Sequence, residues 1–266
     1  MSELEPERLR PLLRGGLGEP YLYAVATPST QDLLRDGDYP HGAVAVAEHQ
    51  TAGRGRSGRR WDDAPSTALL CSVLLRPAVA VALPQLSLVV GLAVAEAIER
   101  GSDVRALVKW PNDVLIEGSK VAGILLEASD GNVVCGVGIN VNQVERDLPL
   151  VTRTPATSLR LAVGRPLDRG IVLASVLREL ERRYTEWLAG GLAHLLDELE
   201  KRNALRGQKV RVAGRAGTAG AIASDGRLTL VLERGDTVLV ESGEVELLPP
   251  EKRGRRAGAE PAGEGA

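Results

Sequence analysis

The chain has 266 residues, 44% of them apolar and 26% charged, with a formal net charge of −2. That is enough length for one domain of fair size plus a small one, and the composition is ordinary for a soluble globular protein. The near-neutral balance excludes a global pull toward nucleic acid or anionic membrane, so any basic function is local. Cys71 and Cys135 each sit in an apolar run and share no metal-ligand spacing with His41, His49 or His194. They read as two reduced core thiols of a cytoplasmic protein. Pro6, Arg8, Arg10, Pro11 and Arg14 interrupt any signal-peptide core, and the longest apolar helix pattern, near 86–98, is too short to span a bilayer.

Residues 1–20, with their charges, prolines and Gly15-Gly16, read as a flexible lead-in. Ser29 and Asp32 offer N-cap chemistry for a short helix that ends near Gly37. Ala43 to Ala47 and Leu69 to Leu75 read as buried strands, the second closed by Pro77. Leu86, Val89, Val90, Ala93, Val94, Ala97 and Ile98 keep helical spacing up to Gly101. Strand patterns follow over 104–108, 114–116, 122–127 and 133–141, joined by short Gly or Asp turns that favour an antiparallel or mixed sheet over repeated βαβ units. A long amphipathic helix spans Leu173 to Leu188, and a third helix runs from about Leu192 to Leu205. Five short strands between Val210 and Leu248 predict a small β-barrel, and the tail from Pro249 onward has the composition of disorder.

The most informative segment is Gly53-Arg54-Gly55-Arg56-Ser57-Gly58-Arg59-Arg60-Trp61, directly after an apolar strand. Glycines free backbone N–H groups and arginines supply guanidinium forks, which together surround an anion. The G-x-G-x-x-G match within it lacks the following helix and the later acidic residue of a dinucleotide site, so a Rossmann reading fails on context. Four arginines in a turn also fit a solvated loop or a nucleic-acid patch. A second polar island, Lys109-Trp110-Pro111-Asn112-Asp113, ends an apolar strand; a turn explains its last three residues but not the lysine. Lys120 then precedes Val121-Ala122-Gly123, and Gly136-Val137-Gly138-Ile139-Asn140-Val141-Asn142 closes a third strand with room for close backbone approach.

Ser29-Thr30, the run Glu48 to Arg59, Lys109 to Asp113, Lys120 to Leu125, Gly138 to Asn142 and Ala156-Thr157-Ser158-Leu159 occur in this order. Together they resemble the biotin protein ligases, biotin–[acetyl-CoA-carboxylase] ligase, over roughly 25–248. Gln31 departs from that family's Asn after Ser-Thr while keeping the amide. The resemblance implies an α+β fold: a mixed-sheet catalytic domain with packed helices, akin to class II aminoacyl-tRNA synthetases, over 21–205, an SH3-like barrel over 206–249, and a disordered tail over 250–266. Only about twenty residues precede Tyr21, so the ligase-only form without a DNA-binding domain is expected.

The implied chemistry has two steps. Biotin and ATP, with magnesium, give biotinyl-5′-adenylate and pyrophosphate; the acyl group then passes to a lysine of a biotin carboxyl carrier domain of an acyl-CoA carboxylase. The resemblance implies catalytic roles for Arg54, Lys120 and Asp113, and a biotin site at Ser29, Thr30, Gln31, Gln50, Gly123, Lys120 and the Arg54-Gly55-Arg56 loop. It implies an ATP or adenylate site at Arg54, Arg56, Arg59, Trp61, Lys109, Asn112, Lys120 and Asn140, with the arginine loop as a lid. The metal-holding residues stay open. The expected partner is the carrier domain, without DNA or membrane, and the expected state is a monomer or weak homodimer. A lipoate–protein ligase and, from another class, a nucleic-acid-binding module are the competing readings.

Overall fold

Short apolar runs become strands here because each is ended by a turn of defined chemistry. Glu117-Gly118 and Asp130-Gly131 adopt positive φ at both residues (48° and 78°; 50° and 76°), the geometry of tight two-residue hairpins. The computed structural model describes residues 2–77, 82–150 and 152–249; the tail expected to be disordered, 250–266, lies outside them.

Seven strands form the main sheet: β1 (Tyr21–Ala24), β2 (Val44–Ala47), β3 (Ala68–Leu75), β4 (Leu107–Lys109), β5 (Asp113–Ile116), β6 (Ser119–Ser129) and β7 (Asn132–Asn140). Their order is β1-β2-β3-β7-β6-β5-β4. Only β1 and β2 run parallel; every other neighbouring pair is antiparallel. The mixed sheet expected from the turns is therefore present. β1 has no counterpart in the sequence reading, because Tyr-Leu-Tyr-Ala after Pro20 is too short to show a period.

Among the described residues six helices accompany the strands: α1 (Pro6–Leu9), α2 (Thr30–Arg35), α3 (Leu83–Ser102), α4 (Leu159–Val163), α5 (Arg169–Gly190) and α6 (Leu196–Lys201). α3 and α5 pack on each other and cover one face of the sheet, where Leu69, Cys71, Val73 and Leu75 of β3 point. α2 covers the opposite face with Leu33 and Leu34 against Ala45, Leu74 and Val134. Strand residues alternate between these layers with the two-residue period of extended backbone.

Two expectations are corrected. Residues 2–20 are not a loose lead-in: Leu4, Leu9 and Leu17 are buried in the main core, and Tyr21 Oη donates to the Leu4 carbonyl at 2.7 Å. Pro6 opens α1 at its first turn, where a missing N–H costs nothing. The third helix is also shorter than its periodicity suggested. A 3₁₀ turn over Leu192–Leu195 leads into α6, and the chain then leaves helix to pair with β4. Val108 N–H donates to the Arg202 carbonyl at 2.7 Å and Ala204 N–H to the Val108 carbonyl at 3.0 Å, which covers an otherwise open sheet edge.

The C-terminal strands β8 (Lys209–Val212), β9 (Arg215–Ile222), β10 (Leu228–Leu232), β11 (Thr237–Val240) and β12 (Val245–Leu247) make a second, antiparallel sheet in the order β11-β10-β9-β8-β12. Val210, Val212, Leu228 and Leu230 of this sheet join the same apolar cluster as the main sheet. Trp110, 1% exposed, fastens the two: its Nε1 donates to the Gly226 carbonyl in the β9–β10 turn region at 2.9 Å.

Replacing Trp110 with Phe strands that buried carbonyl. Unfolding free energy should fall by about 1–3 kcal/mol, read by denaturant titration; an unchanged midpoint would mean that the joint lies elsewhere.

Candidate active site

Strands β6 and β7 set the floor of the site. Val133, Cys135, Val137 and Ile139 of β7 point into the α3/α5 core. The intervening positions, Gly136, Gly138 and Asn140, line a cavity of about 350 Å³ on the other face. Gly123 of β6 lies directly across from Gly138, and Leu125 across from Gly136. The glycines are needed for contact rather than for turns. A Cβ on Gly138 would stand 2.6 Å from Cε2 of Trp61, and one on Gly123 would stand 3.0 Å from both Trp61 Cζ3 and Lys120 Nζ. A Cβ on Gly136 would reach 3.0 Å from the Gln31 amide carbon. Trp61 therefore lies flat over a glycine pair, with Lys120 Nζ 5.6 Å from its ring centroid. Its Nε1 is buried and meets no acceptor among the described residues.

One end of this cavity is uncharged. Ser29 caps α2 by accepting from Gln31 N–H at 3.3 Å. Gln50 Oε1 accepts from the Thr30 N–H at 2.8 Å and from Thr30 Oγ1 at 3.2 Å, and Thr30 Oγ1 lies 2.8 Å from Ser72 Oγ. Those bonds orient the Gln50 amide so that its Nε2 remains for another acceptor. The Gln31 Nε2 donates to the Leu125 carbonyl at 3.2 Å, leaving its Oε1 as the acceptor end. Asp63, with no exposed side-chain surface, steadies this end by contacting His49 Nδ1 at 3.0 Å and the Gln50 N–H at 3.4 Å.

The other end is cationic. The arginine loop folds back on itself: Gly55 N–H donates to the Arg59 carbonyl at 2.7 Å and Trp61 N–H to the Gly53 carbonyl at 3.0 Å. Arg56 Nη1 donates to Asn112 Oδ1 at 3.0 Å, while Asn112 Nδ2 is held by the Ile124 carbonyl at 2.9 Å. Burial lowers the Arg56 pKa from its usual value, with Asp113 opposing. Lys109 is 6% exposed and donates to Thr154 Oγ1 at 2.6 Å. Burial lowers its pKa too, again against Asp113. Neither cation has a carboxylate within salt-bridge distance among the described residues. Lys120 does: its Nζ is 2.6 Å from Asp113 Oδ1.

Arg54, expected among the cations that meet the reacting anions, is committed elsewhere. Its guanidinium makes a two-pronged pair with Glu127, 3.0 Å on each prong, and donates to Asp32 at 2.9 and 3.1 Å. Burial works against its charge, but the Glu127 and Asp32 bonds outweigh it and hold the pKa above the usual arginine value. Arg35 pairs with the same two acids, 2.6 Å from Asp32 and 3.5 Å from Glu127. The result is a clasp of alternating charges that ties the loop to α2 and β6.

The residues assigned from the sequence converge on this cavity. Ser29, Thr30, Gln31 and Gln50 line its uncharged end, and Trp61, Gly123 and Asn140 its floor. Lys109, Asn112, Asp113 and Lys120 line the cationic end with Arg54, Gly55, Arg56 and Arg59 of the loop. Such a surface, an apolar and amide-lined recess opening into unpaired positive charge, suits a ligand with a neutral ring at one end and an anion at the other.

Comparison with known proteins agrees with the geometry. Residues 23–143 match the model of the Biotin/lipoate A/B protein ligase family. A biotin–[acetyl-CoA-carboxylase] ligase of Mycobacterium tuberculosis is 38% identical over 268 residues, covering 90% of this chain and 97% of that protein. The chain belongs to the biotin/lipoate A/B protein ligase family. The bifunctional ligase/repressor BirA of Bacillus subtilis is 37% identical over 184 residues, 66% of this chain but only 57% of the relative's length. The solved biotin protein ligase of Aquifex aeolicus, in complex with biotin and ATP, superposes with a TM-score of 0.78 at 33% identity, covering 85% of this chain and 97% of that one.

Residues outside the sequence assignment complete this family site. Glu244, between β11 and β12, pairs with both Arg59 of the loop and Arg153. It reaches the cavity from the link between two opposite edge strands of the second sheet, distant in sequence, and no local pattern signals that. Asp32, Glu127 and Asp63 were equally silent, since single acids in helices, strands and turns are common. Among the described residues no three or more His, Cys, Asp or Glu side chains gather as a metal group. The cavity's acids, Asp62, Asp113 and Glu244, already face cations (Arg60, Lys120, and Arg59 with Arg153), so the residues do not form a dedicated magnesium site.

Two outcomes test this geometry. Gly138→Ala should displace Trp61 and weaken ligand binding at least tenfold by calorimetry, while Gly101→Ala, which meets nothing within 4 Å, should leave it unchanged. Lys109→Met should raise the melting temperature at pH 7. A lysine whose folded pKa lies below its unfolded value costs stability in full below the folded pKa, and the cost fades as pH approaches the unfolded value of ~10.4. The gain should therefore shrink as the pH is raised; a loss of stability at pH 7 would mean that Lys109 is paid back by contacts inside the fold.

Proposed function

We propose that this chain is a cytoplasmic biotin protein ligase, joining biotin and ATP to biotinyl-5′-adenylate and pyrophosphate and then biotinylating one lysine of a biotin carboxyl carrier domain of an acyl-CoA carboxylase. The observation that carries this reading is the division of one cavity at Trp61. The amide and hydroxyl end offers Gln50 Nε2 as a donor and Gln31 Oε1 as an acceptor, complementary to the C=O and N–H groups of a cyclic urea. The cationic end offers Arg56, Lys109 and Lys120 to a carboxylate and a polyphosphate.

In the first step a biotin carboxylate oxygen attacks the α-phosphorus; the new O–P bond forms as the bond to pyrophosphate breaks. Both partners are anions, so the barrier contains their repulsion, and cations fixed beforehand lower it. Arg56 and Lys109 stand ready without competing carboxylates, and Lys120 is kept in line by Asp113. Magnesium travels with the phosphates, which supply the oxygen ligands it prefers. In the second step the carrier amine attacks the acyl carbon, AMP leaves with the bonding pair, and Asp113 is the carboxylate placed to take the amine proton. Arg54 acts through the clasp with Asp32 and Glu127, holding the root of the loop that covers the mixed anhydride against water. No protein nucleophile is required.

A lipoate ligase is the alternative within the family. A dithiolane ring has neither N–H nor C=O, and it would leave both oriented amides without partners, which favours biotin. Purified protein should catalyse ATP–pyrophosphate exchange with biotin and not with lipoate; exchange with lipoate alone would reverse the assignment. Lys120→Ala should lower the biotin-dependent rate by about 10²–10³, and near-normal exchange would remove Lys120 from the chemistry.

A further inference from the structure

Gln143 lies just beyond β7, is 1% exposed, and does not line the cavity. Its Nε2 donates to Asn140 Oδ1 at 3.2 Å, and Asn140 Nδ2 donates to the Thr157 carbonyl at 2.9 Å. Gln143 Oε1 is buried with no partner among the described residues. An orphaned buried acceptor is rare because it costs as much as a lost hydrogen bond, and folds tolerate one mainly where the group serves something other than stability. Here the other half of the same amide reaches a cavity-lining residue.

The consequence for Asn140 is directional. An asparagine amide has two faces of nearly equal shape and opposite polarity. With Oδ1 accepting from Gln143 and one Nδ2 hydrogen given to the Thr157 carbonyl, the amide is held against a flip, and its second N–H stays a donor for a ligand. Thr157 is itself held, since its N–H donates to the Lys120 carbonyl at 2.9 Å, and Ser158 Oγ donates to the Gln143 carbonyl at 2.7 Å. Asn140 and the Lys120 strand are thus braced by one segment. The neighbouring Asn142 differs: both ends of its amide bond the Leu167 backbone, at 2.8 and 2.9 Å, which makes it a structural pin.

We infer that Gln143 is a positioning residue for nucleotide binding: it fixes the Asn140 amide so that the cavity presents an N–H donor, suited to the acceptor-rich edge of ATP, at the end of β7. This rests on the ligase reading above, with Asn140 at the nucleotide end of the cavity.

The test is a double-mutant cycle on biotin-dependent ATP–pyrophosphate exchange, using Gln143→Met, Asn140→Ala and the double variant. Methionine keeps the side-chain length, removes the orphaned carbonyl and leaves the Ser158 bond to the backbone intact. Gln143→Met should melt at the same temperature as the parent or higher. Its KM for ATP should rise about three- to tenfold, with kcat within twofold and KM for biotin unchanged. In the Asn140→Ala background the same change should add nothing, because the effect passes through Asn140. Full additivity, equal movement of both KM values, or a Gln143→Met chain that melts lower or fails to fold would each assign Gln143 to the fold and overturn the inference. Absence of exchange by the parent protein with biotin would instead remove the ligase reading, and this role with it.

Discussion

The site depends on a packing constraint in two strands: a side chain at Gly123, Gly136 or Gly138 of the β6–β7 pair would crowd Trp61, Lys120 or the Gln31 amide. Extended backbone sends alternate residues to opposite faces, so Val137 and Ile139 can fill the core while Gly136 and Gly138 leave the other face bare. Glycine in a strand interior weakens the strand by losing side-chain packing and backbone order. That cost is accepted at positions 123, 136 and 138, where they border one cavity. A flat floor lets an indole lie parallel to the sheet and leaves space beneath the loop for a slender acyl chain. Bulkier residues there would fill the cleft.

Charge is arranged by the same logic of selective completion. The chain is nearly neutral overall, yet the cavity gathers Arg56, Arg59, Lys109 and Lys120. Some are answered: Lys120 by Asp113, Arg59 by Glu244, and Arg54 by Asp32 and Glu127. Among the described residues Arg56 and Lys109 have neutral partners only, Asn112 and Thr154, and burial depresses both pKa values. A hydrogen bond to a neutral oxygen holds a cation in place without cancelling its field. The answered cations therefore organise the loop, and the two unanswered ones supply the attraction for an anion.

Much of this was legible in the chain, for identifiable reasons. Two-residue turns and alternating apolar runs made the β5–β6–β7 meander readable, and helical spacing located α3 and α5. The polar residues ending strands stood out because packing does not explain a lysine or an asparagine there. What stayed hidden was long-range. The N-terminal leucines find the core only because Tyr21, Glu48 and Arg169 receive their segment: Arg169 pairs with Glu3 at 3.0 Å and Glu48 at 2.8 Å. The partners of Arg54 were hidden for the same reason, since the acids that pair with it are 22 and 73 residues away. A motif shows which residues assemble, and their partners decide what each one does.

The second sheet belongs to the same reasoning. Trp110 sits inside the motif that also supplies Lys109 and Asn112, and its indole is bonded to the β9–β10 turn region. Glu244 returns from that sheet to pair with the arginine loop. The small sheet is thus joined to the cavity twice, once beneath the strand that ends in Lys109 and once at the loop that carries Arg56. A buried indole bond is insensitive to salt, whereas the exposed ion pair of Arg59 and Glu244 is weakened by it. The first contact makes the sheet a fixed wall, and the second is a salt-sensitive link between that wall and the arginine loop.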